Sequence, residues 1–181
     1  MWDEILDSDG AGWPADEGDE DAYAQVILTV QGHAPLFGSA RLARRALDAI
    51  TACAPGAPGQ LWGAVVLPET VRLVIGPAGV DALDQFIEAV KAQSSTRVLS
   101  AIRQADDDTL DVVLRYSPVW GGALYQVWQT GYHRQLFWTE YKLSNALYEL
   151  ARAPVEAGLV ADLDDWPYRY QDGEAAIGLP P

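Results

Sequence analysis

Apolar and polar positions change period several times between residues 23 and 168. Residues 23–31 alternate, Val26, Leu28 and Val30 against Ile27 and Thr29, which is the period of a strand. Gly32 and Pro35 close it. Leu42, Ala46, Leu47 and Ile50 then recur at helical spacing, predicting an amphipathic helix from a Ser39 cap to about Ala52. A Pro/Gly linker leads into the apolar run Gly63-Ala64-Val65-Val66-Leu67, a buried strand expected to stop at Pro68, which has no N–H to donate. Val71 to Ile75 is the return strand, with Thr70, Arg72 and Val74 on one face and Val71, Leu73 and Ile75 on the other. Gly76-Pro77 is expected to end this hairpin. Asp81 reads as the cap of a helix with Leu83, Phe86, Ile87 and Val90 at i, i+3, i+4 and i+7, continuing or restarting through Val98 and Ile102. Leu110 to Tyr116 is strand-like, and 118–122 is a turn. Thr139 caps a last helix, whose stripe is Leu143, Ala146, Leu147 and Leu150.

Charge changes the picture at one end. The 181-residue chain carries a net charge of −14. Residues 1–22 hold nine acids and no base, against 17 acids and 12 bases in the rest. The division expected is an acidic disordered arm over 1–22, a folded domain over 23–170 and a tail over 171–181. Trp2 and Trp13 give the arm something to dock with. Strong acidity disfavours a phosphate backbone as partner. Arg41, Arg44 and Arg45 lie outside the first helix's apolar stripe, either as phosphate contacts or as a solvated face, and the arm is expected to shield them. Cys53 stands alone, so no disulfide framework is expected. The absence of a signal-peptide pattern and of any membrane-length apolar run points to a cytoplasmic protein.

Several ordered motifs resemble the REP-associated tyrosine transposases, single-tyrosine HUH transposases. These are Pro35-Leu36-Phe37, Leu67-Pro68-Glu69 with its following strand, Val127-Trp128-Gln129, Tyr132-His133, Ala153-Pro154-Val155-Glu156-Ala157-Gly158-Leu159-Val160 and Asp165-Trp166-Pro167-Tyr168. The resemblance implies an α+β, ferredoxin-like domain: a mainly antiparallel sheet with helices packed on it. It also implies single-stranded or hairpin DNA as partner, and a divalent metal such as Mg or Mn held by a His-hydrophobic-His pair. A helix tyrosine would attack the metal-polarised phosphate.

The chain departs from that pattern at each chemical position. Thr70 and Arg72 stand where the two histidines are implied, and Glu149 where the tyrosine is, with Tyr148 one position away. Arg72 brings a positive charge to a cation site. His33 and His133 lie outside the motif, and the basic residue that the resemblance implies near the end of the strand following Tyr132-His133 is absent, with Phe137 and Trp138 standing there. The expected function is binding without cleavage, to nucleic acid through Arg41, Arg44, Arg45 and Arg72 or to a protein. An ion pair between Arg72 and Glu149 across the altered site is expected with it. The alternative is an enzyme of changed mechanism, with Tyr148 as nucleophile and Glu69, Glu149 or aspartates holding a metal. Asp106-Asp107-Asp108 reads as a solvated turn. No nucleophile elbow or phosphate-binding Gly-Lys-Ser/Thr loop is present.

Overall fold

A computed structural model describes residues 22–105, 115–116 and 124–172, with only the backbone of 115–116 and 124–125. The acidic arm up to residue 21, Asp106-Asp107-Asp108, the turn at 118–122 and the tail beyond residue 172 lie outside these residues.

The first strand, β1, spans Ala22–Thr29, and Val30 continues it as a single bridge to Trp128. The first helix, α1, is Ala40–Cys53. Then come β2 (Gln60–Val66), β3 (Thr70–Ala78) and α2 (Val80–Gln104). Two short strands, β4 (Arg115–Tyr116) and β5 (Leu124–Tyr125), pair with each other. β6 (His133–Phe137), α3 (Glu140–Glu156) and β7 (Arg169–Gln171) complete the order. The main sheet runs β6-β1-β3-β2-β7, antiparallel at every junction. Its first four strands with α1 and α2 make the ferredoxin-like βαββαβ arrangement, and β7 adds an edge. The α+β expectation therefore holds.

Alternation along the strands divides the interior into two layers. Val26, Leu28, Ala64, Val66, Val71, Leu73 and Ile75 face α1 and α2, where Leu42, Ala46, Ile50, Leu83, Ile87 and Val90 close a large core. Val65, Leu67, Val74 and Phe137 face the other way, toward Leu143, Leu147 and Leu150 of α3. Gly63 permits this second contact: a Cβ there would lie 2.6 Å from the Leu150 Cδ2 and 3.1 Å from that of Leu147. With no side chain at Gly63, the helix settles onto β2.

Three local expectations are corrected, at Ser39, Asp81 and Gly76-Pro77, and the alternative left open for α2 is resolved. Ser39 occupies the N-cap of α1, but its side chain makes no capping bond. Gly79, not Asp81, precedes α2; Asp81 sits in the first turn, where a carboxylate favours the helix dipole. α2 is one continuous helix of 25 residues. The strand β3 runs past Gly76-Pro77 to Ala78, because Pro77 falls where an irregular register frees it from the ladder. Thr139, by contrast, caps α3 as expected, accepting a bond from the Lys142 amide at 3.2 Å.

Polar contacts, from the buried Trp128–Ser94 pair to exposed Asp84, fasten the 127–132 segment to α2. Trp128 donates its indole N–H to the Ser94 hydroxyl at 2.9 Å. Lys91 donates to the carbonyls of Gln129 and Gly131 at 3.3 and 2.6 Å. Tyr132 donates to Asp84, which also accepts from Arg134 at 3.1 Å. Burial pushes the Tyr132 hydroxyl above the usual tyrosine pKa, and the hydrogen bond to Asp84 adds to it.

Candidate nucleic-acid interface

The strand β3 carries Thr70 and Arg72 on the α3 side of the sheet, as alternation predicts, because Val74 on the same face belongs to the α3 core. Directly paired residues share a face, so the registers extend this position across the whole sheet. Arg72 pairs with Ile27 on β1 and Val65 on β2; Ile27 pairs with His133 on β6; Val65 pairs with Arg169 on β7. One row thus reads His133, Ile27, Arg72, Val65, Arg169. Beside it lie Gln135, Gln25 and Val74 on one side, and Thr29 with Thr70 on the other.

The helix α3 contacts β2 and β3 and leaves β1 and β6 largely uncovered. Val65 under the helix is fully buried, whereas Gln25, Ile27, Thr29, Thr70 and Arg72 are half-buried and His133 and Gln135 exposed. The result is an open, mostly polar half of the sheet, bordered by the helix. Strands about 4.8 Å apart put His133 and Arg72, two strands from each other, roughly 10 Å apart at their backbones. The long arginine side chain can close much of that gap.

Among the described residues Arg72 has no ion-pair or side-chain hydrogen-bond partner, and its Nε is buried without an acceptor. The expected pairing with Glu149 is therefore corrected: Glu149 is exposed on α3 and does not meet the guanidinium. Helix geometry explains the miss. The residues that pack on the sheet are Leu143, Leu147 and Leu150, and Glu149 sits about 100° round from Leu150, pointing beyond the apolar contact.

Tyr148 lies on the opposite flank. Ala151 borders Arg169 and Gln171 of β7, and Tyr148 is about 60° from Ala151 on the helix, while Glu149 is about 160° away. The Tyr148 hydroxyl accepts a bond from Arg152 at 2.8 Å, and the guanidinium lies 5.4 Å from its ring centre. Arg152 is held in turn by Glu156 at 3.5 Å.

The three helix arginines do not join Arg72. Arg41, Arg44 and Arg45 are exposed on α1, which packs on the other face of the sheet. Arg44 lies 5.5 Å from the ring centre of Tyr168. The two halves of the expected binding surface are thus on opposite sides of the molecule.

The divalent metal implied by the resemblance does not fit these residues. A threonine hydroxyl and a guanidinium replace the imidazoles, and among the described residues no three His, Cys, Asp or Glu side chains converge on a common point. Glu69 instead lies at the rim, 3.8 Å from His33 Nδ1 in the adjoining turn. Sequence reasoning missed His133, Gln135 and Gln25 as neighbours of Arg72. The alternation of β1 places Gln25 and Ile27 on one face, but nothing local shows that β6 pairs beside it.

No protein-family model matches the chain, and no curated protein is significantly similar to it. Solved structures do resemble it. A REP-associated tyrosine transposase bound to a REP hairpin superposes with a TM-score of 0.54 at 16% identity, over 82% of this chain and 75% of that one. A transposase-like protein from Deinococcus radiodurans R1 covers 78% of this chain and 94% of its own at 20% identity, with a looser TM-score of 0.40. The chain has the fold of the REP-associated tyrosine transposase.

Proposed function

We propose that this domain binds single-stranded or hairpin nucleic acid on the open half of its sheet and does not cut it. The observation that carries the proposal is Arg72: a guanidinium with no acid partner among the described residues, beside Thr70, on a polar face that α3 leaves largely uncovered. A phosphate oxygen is the acceptor that such a group lacks, and arginine can hold two of them at once. Gln25, Gln135, Thr29 and Thr70 add donors and acceptors around it. Binding without cleavage is supported by the donor set, which suits an anion better than a cation, and by Tyr148, whose hydroxyl is engaged by Arg152 on the far flank of α3.

A hairpin-tipped single-stranded oligonucleotide tests both parts with added manganese or magnesium. Retention of the intact oligonucleotide, weakened by Arg72→Ala, is the expected result. Metal-dependent nicking with a covalent adduct on Tyr148 would replace this reading by the enzymatic one. A protein partner is the second reading, favoured by Tyr141, which is 75% exposed on the first turn of α3. Oligonucleotide binding that is absent at every salt concentration would favour it.

A further inference from the structure

We infer, on the nucleic-acid reading of this face, that the open half of the sheet is a base-reading site. It takes one unpaired nucleotide, adenine before the other bases, with the phosphate on Arg72 and the base edge on Gln25 and Gln135. Register places these groups. Gln25 on β1 pairs directly with Gln135 on β6, so the two side chains leave the same face with their Cβ atoms about 5 Å apart. Gln25 also pairs with Val74 on β3, which makes Arg72, two residues before Val74, its diagonal neighbour at about 7–8 Å. That separation is within the reach of one nucleotide from phosphate to base. Beyond the glutamines, about 7 Å further along β1, Tyr23 is half-buried and stacks on Phe137 with ring centres 5.8 Å apart. Its accessible side gives a base something to lie against, as aromatic side chains do for single strands.

Donors and acceptors decide which base. A glutamine amide carries an N–H donor beside a C=O acceptor, and adenine presents the complement, its N6 amino group beside N7. Neither amide is engaged: among the described residues Gln25 and Gln135 make no side-chain hydrogen bond, to each other or to a neighbour. Gln25 is half-buried and Gln135 exposed, so one amide is held by the sheet while the other is free to close on the base. The charge of the face fits the phosphate. The rows from Tyr23 to Thr29 carry Arg72 and His133 and no carboxylate, and Glu69 lies at the rim beside His33. An unpaired base suits the site, because only a base out of its stack can lay its plane against Tyr23 while its edge meets the amides.

The test is fluorescence anisotropy of the full chain with oligothymidines of about six nucleotides, the central base set to adenine, guanine, cytosine or thymine. The adenine strand should bind about tenfold more tightly than the cytosine or thymine strand. Replacing adenine by 7-deazaadenine, which has a C–H in place of N7, should remove most of that advantage without any change to the protein. The double variant Gln25→Met, Gln135→Met should level the four bases and leave the affinity for the all-thymine strand unchanged. Arg72→Met should weaken all four alike and keep their order. Four equal affinities or a preference for another base overturns the inference; guanine would make Arg72 the base reader. An adenine preference that survives the 7-deaza base or the double variant overturns it as well. If the short strands are ignored while the hairpin-tipped oligonucleotide is retained, the inference fails alone. If neither binds at any salt concentration, the nucleic-acid reading fails with it.

Discussion

The two faces of the sheet are built from alternate residues of the same strands, yet they have different fates. On one, β1 contributes Ala24, Val26 and Leu28, and α1 and α2 close over them so that each is nearly inaccessible. On the other, β1 contributes Gln25, Ile27 and Thr29, and the single helix α3 covers mainly β2 and β3, with Phe137 and Tyr23 at the edge of its cluster. An antiparallel sheet can leave one face to water without losing its ladders, since its backbone groups are satisfied within the plane. The closed face therefore supplies most of the burial that stabilises the domain. The open half contributes little to stability, which frees it to carry an unpaired arginine. Stability and binding should be separable along a single strand.

The sharpest way to break that comparison is to truncate both faces. Leu73, fully buried on the closed side of β3, should cost about 2–5 kcal/mol as Leu73→Ala, lost transfer energy plus the cavity it leaves. Ile27→Ala, one strand over on the open side, should cost well under half as much. Denaturant unfolding of the two variants measures the difference directly. Equal losses would mean that the open half is covered in solution.

Next in size is the fastening of the 127–132 segment to the closed face. Ser94 is fully buried, donates to the Val90 carbonyl at 2.6 Å and accepts from Trp128. Ser94→Ala leaves the indole N–H without a partner in an apolar setting, at a cost of about 1–3 kcal/mol. Ser94→Cys, which keeps a weak acceptor, should lose less. If both variants melt like the wild type, the tryptophan has found another acceptor.

Ser94 also shows what the sequence could convey and what it could not. Apolar periodicity located α1, α2 and α3 and their buried stripes, because each helix packs one continuous face. The sequence leaves open whether the helix after Asp81 continues or restarts through Val98 and Ile102. It continues: Ser94 and Thr96 bond back to the carbonyls of Val90 and Ala92 one turn earlier, and Trp128 uses the free acceptor on Ser94. Its partner lies 34 residues away, so no local pattern contains the reason. The site divides in the same manner. Thr70 and Arg72 on one face follow from period-two alternation alone. His133 beside them depends on the non-local register of β1 with β6, and the separation of Arg72 from Glu149 depends on how α3 is rolled on the sheet.

The roll of α3 can itself be perturbed. Gly63→Ala places a methyl group against the Leu150 and Leu147 side chains and should cost about 1 kcal/mol, toward the low end of overpacking. The change should be confined to the α3 layer. Hydrogen exchange would then quicken along Leu143–Leu150 and hold steady in α1 and α2. Uniform quickening would mean that the two layers unfold as one unit, and that the division between faces is structural but not energetic.

The smallest effect is the most informative about the open half. If Arg72 were one partner of a buried ion pair, removing it would strand a carboxylate and cost about 3–5 kcal/mol. Among the described residues it has no such partner, and its Nε is a buried donor without an acceptor, which is unfavourable as it stands. Arg72→Met keeps much of the stem's length and apolar contact while removing that donor. The expected change in unfolding free energy is within about 0.5 kcal/mol of zero, with a slight gain more natural than a loss. The denaturant midpoint should stay put with its slope unchanged, and Glu149→Gln should be equally silent. In the oligonucleotide assay the same Arg72→Met variant should lose affinity and lower the salt slope by about one, the signature of a single phosphate contact. A large stability loss on Arg72→Met would place a hidden acid against the guanidinium. A salt slope that does not move would take Arg72 out of any phosphate-binding surface, however open its half of the sheet.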